Sequence, residues 1–178
     1  MSRLKLVPMQ PEDPALAAMF AEVRARGIEV PNVYRTLGHA PAMLRAWLDM
    51  AWRIRLDAKT PRSLRELVIL RCAQAAGVDY EWRHHVPMAR AAGMPQAQID
   101  ALEGWQSSEA FDAKERAALR IADEVTLGGG ASAEAMAELQ GRFETDAQVE
   151  LVLTASFYAC VGRFLNSFAV ELEPWLRR

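Results

Sequence analysis

The chain has few of the residues on which several classes of protein depend. Its 178 residues include only two cysteines, Cys72 and Cys160, and no Cys-x-x-Cys motif. This excludes a disulfide-stapled scaffold and a cysteine zinc finger, and it is typical of a reducing cytoplasm. Histidine is also scarce: there are three, of which His84 and His85 are neighbours. Any histidine chemistry is therefore expected at that pair.

The sequence also lacks a charge excess and a long apolar run. Lysine and arginine number 21 against 23 acidic residues, a formal net charge of −2, which argues against a general nucleic-acid binder. Pro8 interrupts the N-terminal apolar segment, so it does not resemble a signal peptide. The most apolar stretch, residues 151–162, is shorter than the roughly 20 residues of a membrane-spanning helix. We expect a cytoplasmic protein without nucleic-acid or membrane partners.

No segment alternates in the manner of a β-strand, whereas helix-start signals followed by apolar runs of period near 3.6 recur along the chain. Asp13, Asp79, Asp112 and Ser132 are predicted N-caps. The predicted helices cover about 13–27, a short piece after 32, 41–56, 60–77, 79–93, 95–103, 112–127, a piece after 132, and 145–170. The fold class is all-α, a single-domain helical bundle over residues 1–178. Its expected core is 32–127, and the C-terminal helices of 132–170 pack back onto the helix at 60–77.

One carboxylate stands out in the helix predicted over residues 60–77. This helix is apolar around nearly its whole circumference, which indicates burial, yet Glu66 shares a face with Ile69 and Leu70. A buried carboxylate either pairs with a cation or takes up a proton. A structural pair with Arg62 or Arg65 is one interpretation, and a general acid or base is the other.

A second cluster of chemically active residues follows Asp79. Glu81 and His85 are four residues apart, and Glu81 and His84 three apart, so a carboxylate and the imidazoles share a helix face near Tyr80. Such contacts fix the imidazole tautomer, as general acid–base chemistry requires. Pro87 predicts a kink in this helix. The alternatives are a metal half-site, for which a second motif is missing, and a plain contact with a neighbouring helix.

The stretch Pro61–Gly93, PRSLRELVILRCAQAAGVDYEWRHHVPMARAAG, resembles the core of the carboxymuconolactone decarboxylase and alkylhydroperoxidase D-like family. The resemblance extends weakly upstream through 32–37 and 41–48, and downstream to 163–166. It implies an all-α fold and a homo-oligomer, commonly a trimer or hexamer. The peroxidase branch of this family carries a Glu, a Cys-x-x-Cys and a His four residues after the second Cys.

Matched position by position, the family's Glu corresponds to Glu66 and its His to His85, whereas its two cysteines fall on Val78 and Glu81. Without these thiols the peroxidase cycle of that branch has no sulfenic acid and no resolving disulfide. A carboxylate in place of a thiol suggests proton transfer, as in the decarboxylase branch, which needs no cofactor. Cys72 and Cys160 are expected to be small core residues.

The sequence therefore predicts a cofactor-independent acid–base enzyme, without a metal, that acts on a small organic acid or lactone. Glu66, Glu81 and His85 are the candidate catalytic residues. The candidate substrate-binding residues are Tyr80, His84 and Arg65. The alternatives are a peroxiredoxin-like alkylhydroperoxidase and a non-catalytic binding protein on the same fold.

Overall fold

The computed structural model describes residues 2–176, which are helical without any strand, so the predicted all-α class is confirmed. The α-helices are α1 (Pro14–Ala25), α2 (Asn32–Leu37), α3 (Pro41–Trp52), α4 (Arg62–Ala75), α5 (Asp79–Ala91), α6 (Gln96–Ala101), α7 (Ala113–Leu127), α8 (Ala133–Gln140) and α9 (Thr145–Phe168). A π-helical turn, Arg53–Asp57, follows α3, and 3₁₀ turns lie at Leu102–Gly104 and Pro174–Leu176.

The chain divides into two compact units. One comprises the residues up to Leu56 together with those from Leu165 onward, and the other is Asp57–Phe164. In the first unit, Phe20 on α1 and Leu44 on α3 are fully buried. The carboxylate of Glu173 accepts a hydrogen bond of 2.5 Å from the backbone N–H at the start of α2. The single-domain organisation expected from the sequence stays a prediction.

Most predicted helix starts are confirmed, and one is wrong. As N-caps do, the side chains of Asp13, Asp112 and Ser132 accept hydrogen bonds from backbone N–H groups in the first turns of α1, α7 and α8. Asp79, in contrast, is the first residue of α5, and Val78 is the N-cap. The reason is that the Asp79 carboxylate points along the helix to Arg83, four residues on, at 2.9–3.0 Å.

Helix α4 is the centre of the Asp57–Phe164 unit and packs against both α5 and α7. Leu67 to Leu70 are each at most 1% exposed, as expected for a helix that is apolar on every side. Arg71 crosses from α4 to α7 in an ion pair with Asp123, and Trp105 Nε1 donates to the same carboxylate at 2.9 Å. These contacts hold α4 rigidly and so fix the direction of its side chains.

Helix α9 also contributes to this unit. Cys72 Sγ lies 3.9 Å from the carbonyl oxygen of Ala155, and the carboxylate of Glu150 accepts the backbone N–H groups of Lys59 and Thr60 at 2.8 Å. These contacts place α9 beside α4, where the sequence predicted the C-terminal helix.

The surface of α9 corrects one expectation from the sequence. Cys160 is exposed rather than a core residue, because it lies on the outer face of α9 with Leu153 and Ser156. The bounds of α9, Thr145–Phe168, agree with the helix predicted over 145–170. Among residues 2–176, α9 is the one helix long and apolar enough to cross a membrane by length and composition. That is weak evidence for a span, because core helices meet the same criteria, and Leu151 and Tyr158 are buried.

Candidate active site

Three of the predicted site residues meet between α4 and α5. Glu66 is fully buried on α4, and Glu81 and His85 lie one turn apart on α5, 6% and 4% exposed. Because α4 and α5 pack side by side, the face of α5 that carries Glu81 and His85 is turned towards Glu66. The sequence predicted the contact within α5 from its spacing, whereas the contact with Glu66 depends on helix packing.

The imidazole of His85 bridges the two carboxylates. Its Nδ1 lies 2.7 Å from Glu66 Oε2, and its Nε2 lies 3.3 Å from Glu81 Oε2. The first distance is that of a strong, charge-assisted hydrogen bond, and the second is a looser ion pair. We call Glu66, His85 and Glu81 the buried trio. With a carboxylate at each nitrogen, the arrangement favours the imidazolium, which has a proton on both nitrogens.

Burial and charge act in opposite directions on this trio. Burial alone lowers the pKa of His85, but the charge and hydrogen bond of Glu66, supported by those of Glu81, raise the pKa to about 9. Burial raises the pKa of Glu66, whereas the charges and hydrogen bonds of His85 and Arg62 outweigh it and leave the pKa below its ordinary value. At neutral pH His85 is therefore protonated and Glu66 ionised.

Two further side chains contact the trio. Arg62, one turn before Glu66 on α4, donates from Nε to Glu66 Oε1 at 2.7 Å and also pairs with it through Nη2. Tyr158 of α9 sets its ring at 89° to the His85 imidazole, with the ring centroids 5.0 Å apart. The sequence offered Arg62 only as a structural partner of Glu66. It gave no signal for Tyr158, because that contact depends on where α9 packs.

The residues predicted to bind substrate make their own contacts on α4 and α5. Tyr80 and His84 stack on one another with ring centroids 4.5 Å apart. Arg65 is buried, and its Nη1 donates to the carbonyl oxygens of Ala58 and Thr60 in the segment before α4. These contacts fix the start of α4, and the substrate-binding roles of the three residues stay predictions.

The two cysteines differ in their surroundings from the positions that the sequence resemblance matches to the family thiols. Those positions, Val78 and Glu81, are both buried. Burial raises the pKa of the Cys72 thiol to about 12, so Cys72 is not a thiolate at neutral pH. Cys160 lies on the exposed face of α9. Among residues 2–176, no group of three or more His, Cys, Asp and Glu side chains is arranged to hold a metal ion.

A surface cavity of about 520 Å³ opens near the start of α4. Pro61 and Leu64 line one side of it, and Arg142, Phe143 and Asp146 from the α8–α9 region line another. None of the six predicted site residues lines this cavity. The candidate site is therefore defined by the convergence of the trio and not by this cavity.

Comparison of the whole chain with solved structures defines the class of fold. The alkylhydroperoxidase AhpD core of Ralstonia eutropha, an uncharacterised peroxidase-related protein, superposes with a TM-score of 0.84 at 18% identity over 98% of this chain and 94% of its own. A peroxidase-related protein from a Silicibacter species gives 0.83 at 17% identity, over 98% and 93%. The debrominase Bmp8 in complex with 2,3,4-tribromopyrrole gives 0.76 at 20% identity, over 99% and 96%. The fold is alkylhydroperoxidase D-like.

A family model matches part of the chain. Residues 41–124 match the model of the carboxymuconolactone decarboxylase family, and this segment contains Glu66, Glu81 and His85. The resemblance to the carboxymuconolactone decarboxylase and alkylhydroperoxidase D-like family that was recognised in the sequence is thereby confirmed. No curated protein matches the chain.

Proposed function

We propose that the protein is a cofactor-independent acid–base enzyme that decarboxylates a small organic acid or a lactone acid. The observation that carries this proposal is the buried chain of hydrogen-bonded groups from Glu66 through His85 to Glu81. Its last carboxylate stands where the peroxidase branch of the family has a thiol. A carboxylate in contact with a buried imidazolium is suited to hold and deliver a proton.

The proposed reaction needs one proton and no electron acceptor. The bond between the ring carbon and the substrate carboxylate breaks, CO₂ leaves, and the electron pair of that bond moves into the conjugated lactone carbonyl. His85 passes its Nε2 proton to the Glu81 carboxylate, and Glu81 passes it on to the carbon of the resulting carbanion. Glu81 is then a carboxylate again, and His85 recovers a proton from solvent. Glu66 keeps the imidazole oriented and stabilises its charge throughout.

The burial of the trio supports this division of roles. Glu66 is fully buried and held on both oxygens, which suits an orienting group. Glu81 contacts His85 through the longer distance of 3.3 Å and retains 8% side-chain exposure, so it is the carboxylate of the trio with more access to a ligand. Low dielectric surroundings strengthen each of these interactions relative to water.

The test uses carboxymuconolactone and a small set of five-membered lactones that bear a carboxylate. CO₂ release and loss of the lactone absorbance are followed for the wild type and for Glu66→Gln, Glu81→Gln and His85→Gln. Because general acid–base groups contribute typically about 10²–10⁴-fold, each variant is expected to lose at least 100-fold in turnover. The control is Arg83→Met, which breaks an exposed ion pair on α5.

Two results would contradict this function. Turnover that is unchanged in the Glu81 and His85 variants would remove the trio from the chemistry. A lactone that binds to the wild type and is recovered unaltered after long incubation would favour a non-catalytic binding protein instead.

Homo-oligomerisation and a cytoplasmic location, with no nucleic-acid or membrane partner, remain part of the proposal. The family resemblance supports the oligomer, and the cysteine usage supports the location. Light scattering of the purified full chain gives the oligomer mass, and a mass equal to one chain would contradict a trimer or hexamer.

A further inference from the structure

Arg62 occupies a position that helix stability does not explain. It is the first residue of α4, where the partial positive charge of the helix N-terminus favours anions over cations. Its guanidinium nevertheless turns into the protein towards Glu66, with 30% of the side chain exposed, and its Nη2 also contacts Met88 Sδ at 3.9 Å. The location is therefore better explained by what Arg62 does to Glu66.

Both oxygens of the Glu66 carboxylate are occupied. Oε2 is bound to His85, and Oε1 to the guanidinium of Arg62. The Glu66 carboxylate thus has a cationic partner at each oxygen, the imidazolium of His85 at Oε2 and the guanidinium of Arg62 at Oε1. An unbalanced charge at a carboxylate with no solvent exposure is costly, and such a group takes up a proton instead.

We propose that Arg62 is a positioning residue of the buried trio: its guanidinium holds Glu66 as an anion, so that the proton between Glu66 and His85 stays on His85 Nδ1. This role rests on the proposed acid–base function, because a trio with a proton on Glu66 would lose the anion that orients and charges the imidazole. Arg62 acts through the Oε1 atom of Glu66.

Charged and titratable groups face the trio from each helix packed around it. Helix α4 supplies Arg62 and Arg65, of which Arg65 is directed to the carbonyl oxygens before α4. Helix α5 supplies the other trio members themselves. Helix α9 supplies Tyr158 at the imidazole edge and Glu150, whose carboxylate is held by the backbone N–H groups of residues 59 and 60. Arg62 bonds directly to the Glu66 carboxylate.

The experiment is a pH titration of ¹⁵N-histidine-labelled full-length protein by NMR, which requires no substrate. The chain has three histidines, and the signals of His85 are assigned by their loss in His85→Gln. Protonation of Glu66 is seen as an acid-side transition in the His85 nitrogen shifts. An adjacent opposite charge lowers a carboxyl pKa by about 1–3 units, so this transition should move up by that amount in Arg62→Gln.

Matched variants separate a charge effect from a general disturbance. Arg62→Lys keeps the charge and should keep the wild-type transition. Arg83→Gln, which removes an exposed i, i+4 arginine–carboxylate pair on the neighbouring helix, should also leave it unchanged. In a Glu66→Gln background, Arg62→Gln should have no effect on the remaining His85 titration, because the residue through which Arg62 acts is no longer charged.

Two results with folded variants would overturn the proposal, and a third experiment decides it if Arg62→Gln does not fold. A folded Arg62→Gln protein with the wild-type transition would show that Arg62 does not control the protonation of Glu66. An effect of Arg62→Gln that persists in the Glu66→Gln background would show that it acts on His85 independently. If Arg62→Gln alone does not fold, refolding in Arg62→Gln/Glu66→Gln supports the charge balance, since removing both partners is often tolerated, and failure to refold refutes it. Activity is not measured, so the outcome is independent of the proposed reaction.

Discussion

Raising the pH through the interval from 6.5 to about 9 should remove much of the stability that His85 contributes to the fold. Burial alone would lower the pKa of His85, but the two carboxylate partners raise this pKa from 6.5 to about 9. A group with a raised pKa in the folded state binds its proton more tightly there than in the unfolded chain. Its contribution is complete below pH 6.5 and is lost as the pH rises to about 9.

The magnitude follows from the same values. One pKa unit corresponds to about 1.4 kcal/mol, so the interval from 6.5 to about 9 is worth about 3 kcal/mol. The side chains of Glu66 and His85 are 0% and 5% exposed, so solvent screening reduces this figure little. Three kilocalories is a substantial part of the roughly 5–15 kcal/mol that stabilises a typical domain.

Glu66 responds at the other end of the pH scale. Its pKa is lowered by His85 and Arg62 despite burial, so its contribution is present above its ordinary value of 4.5 and is lost as the pH falls through the lowered value. Glu66 and His85 together therefore stabilise the folded protein most between about pH 4.5 and pH 6.5.

The assay is urea unfolding at fixed protein concentration across this pH range, for the wild type and for His85→Gln. Other groups also titrate at alkaline pH, and the difference between the two curves isolates His85. The wild type should lose about 3 kcal/mol more than His85→Gln between pH 6.5 and 9. Parallel curves would refute the reasoning, because they would show that His85 has the same proton affinity in the folded and unfolded chain.

Two further predictions concern residues outside the trio. Cys160 is exposed and should react rapidly with a maleimide at neutral pH. Cys72 is buried and its thiol has a pKa of about 12, so it should react only when the protein unfolds. Rapid labelling of both cysteines in the folded protein would contradict the packing of α4. Asp123→Asn should destabilise the protein by about 3 kcal/mol in urea unfolding, because it leaves the Arg71 side chain, which is only 12% exposed, without its anion. The exposed counterpart Asp79→Asn should cost less than about 1 kcal/mol, and equal losses would refute the argument from burial.

Much of the fold was accessible from local signals in the sequence. Helix N-caps such as Asp13, Asp112 and Ser132 act within one turn, so their chemistry depends on neighbouring residues alone. The apolar circumference of α4 predicted its burial without knowledge of its neighbours. The assignment of Asp79 as an N-cap was wrong. An Asp at the start of a helix can accept a hydrogen bond either from a backbone N–H group or from an arginine one turn later, and here it accepts from Arg83.

About half of the candidate active site could likewise be predicted from local signals in the sequence. The spacing of Glu81 and His85 on one helix face required only helical periodicity, and the unusual position of Glu66 was visible from its apolar neighbours. The contact between Glu66 and His85 joins residues 19 apart in the chain and exists because α4 and α5 pack together. Likewise, periodicity could not decide whether Cys160 faces the core, since it gives the faces of a helix but not which one meets the core.

The scarcity of cysteine, the all-helical pattern and the positions of Glu66, Glu81 and His85 were determined by the sequence alone. Only the tertiary structure decided which arginine serves the site. Arg62 and Arg65 both precede Glu66 on α4, and the sequence analysis named both as possible partners. The packing directs Arg65 to backbone carbonyl oxygens and Arg62 to the buried carboxylate. The i, i+4 spacing allows the Arg62–Glu66 pair, but only the packing of the helices decides that this carboxylate is buried and that Arg65 turns to the segment before α4.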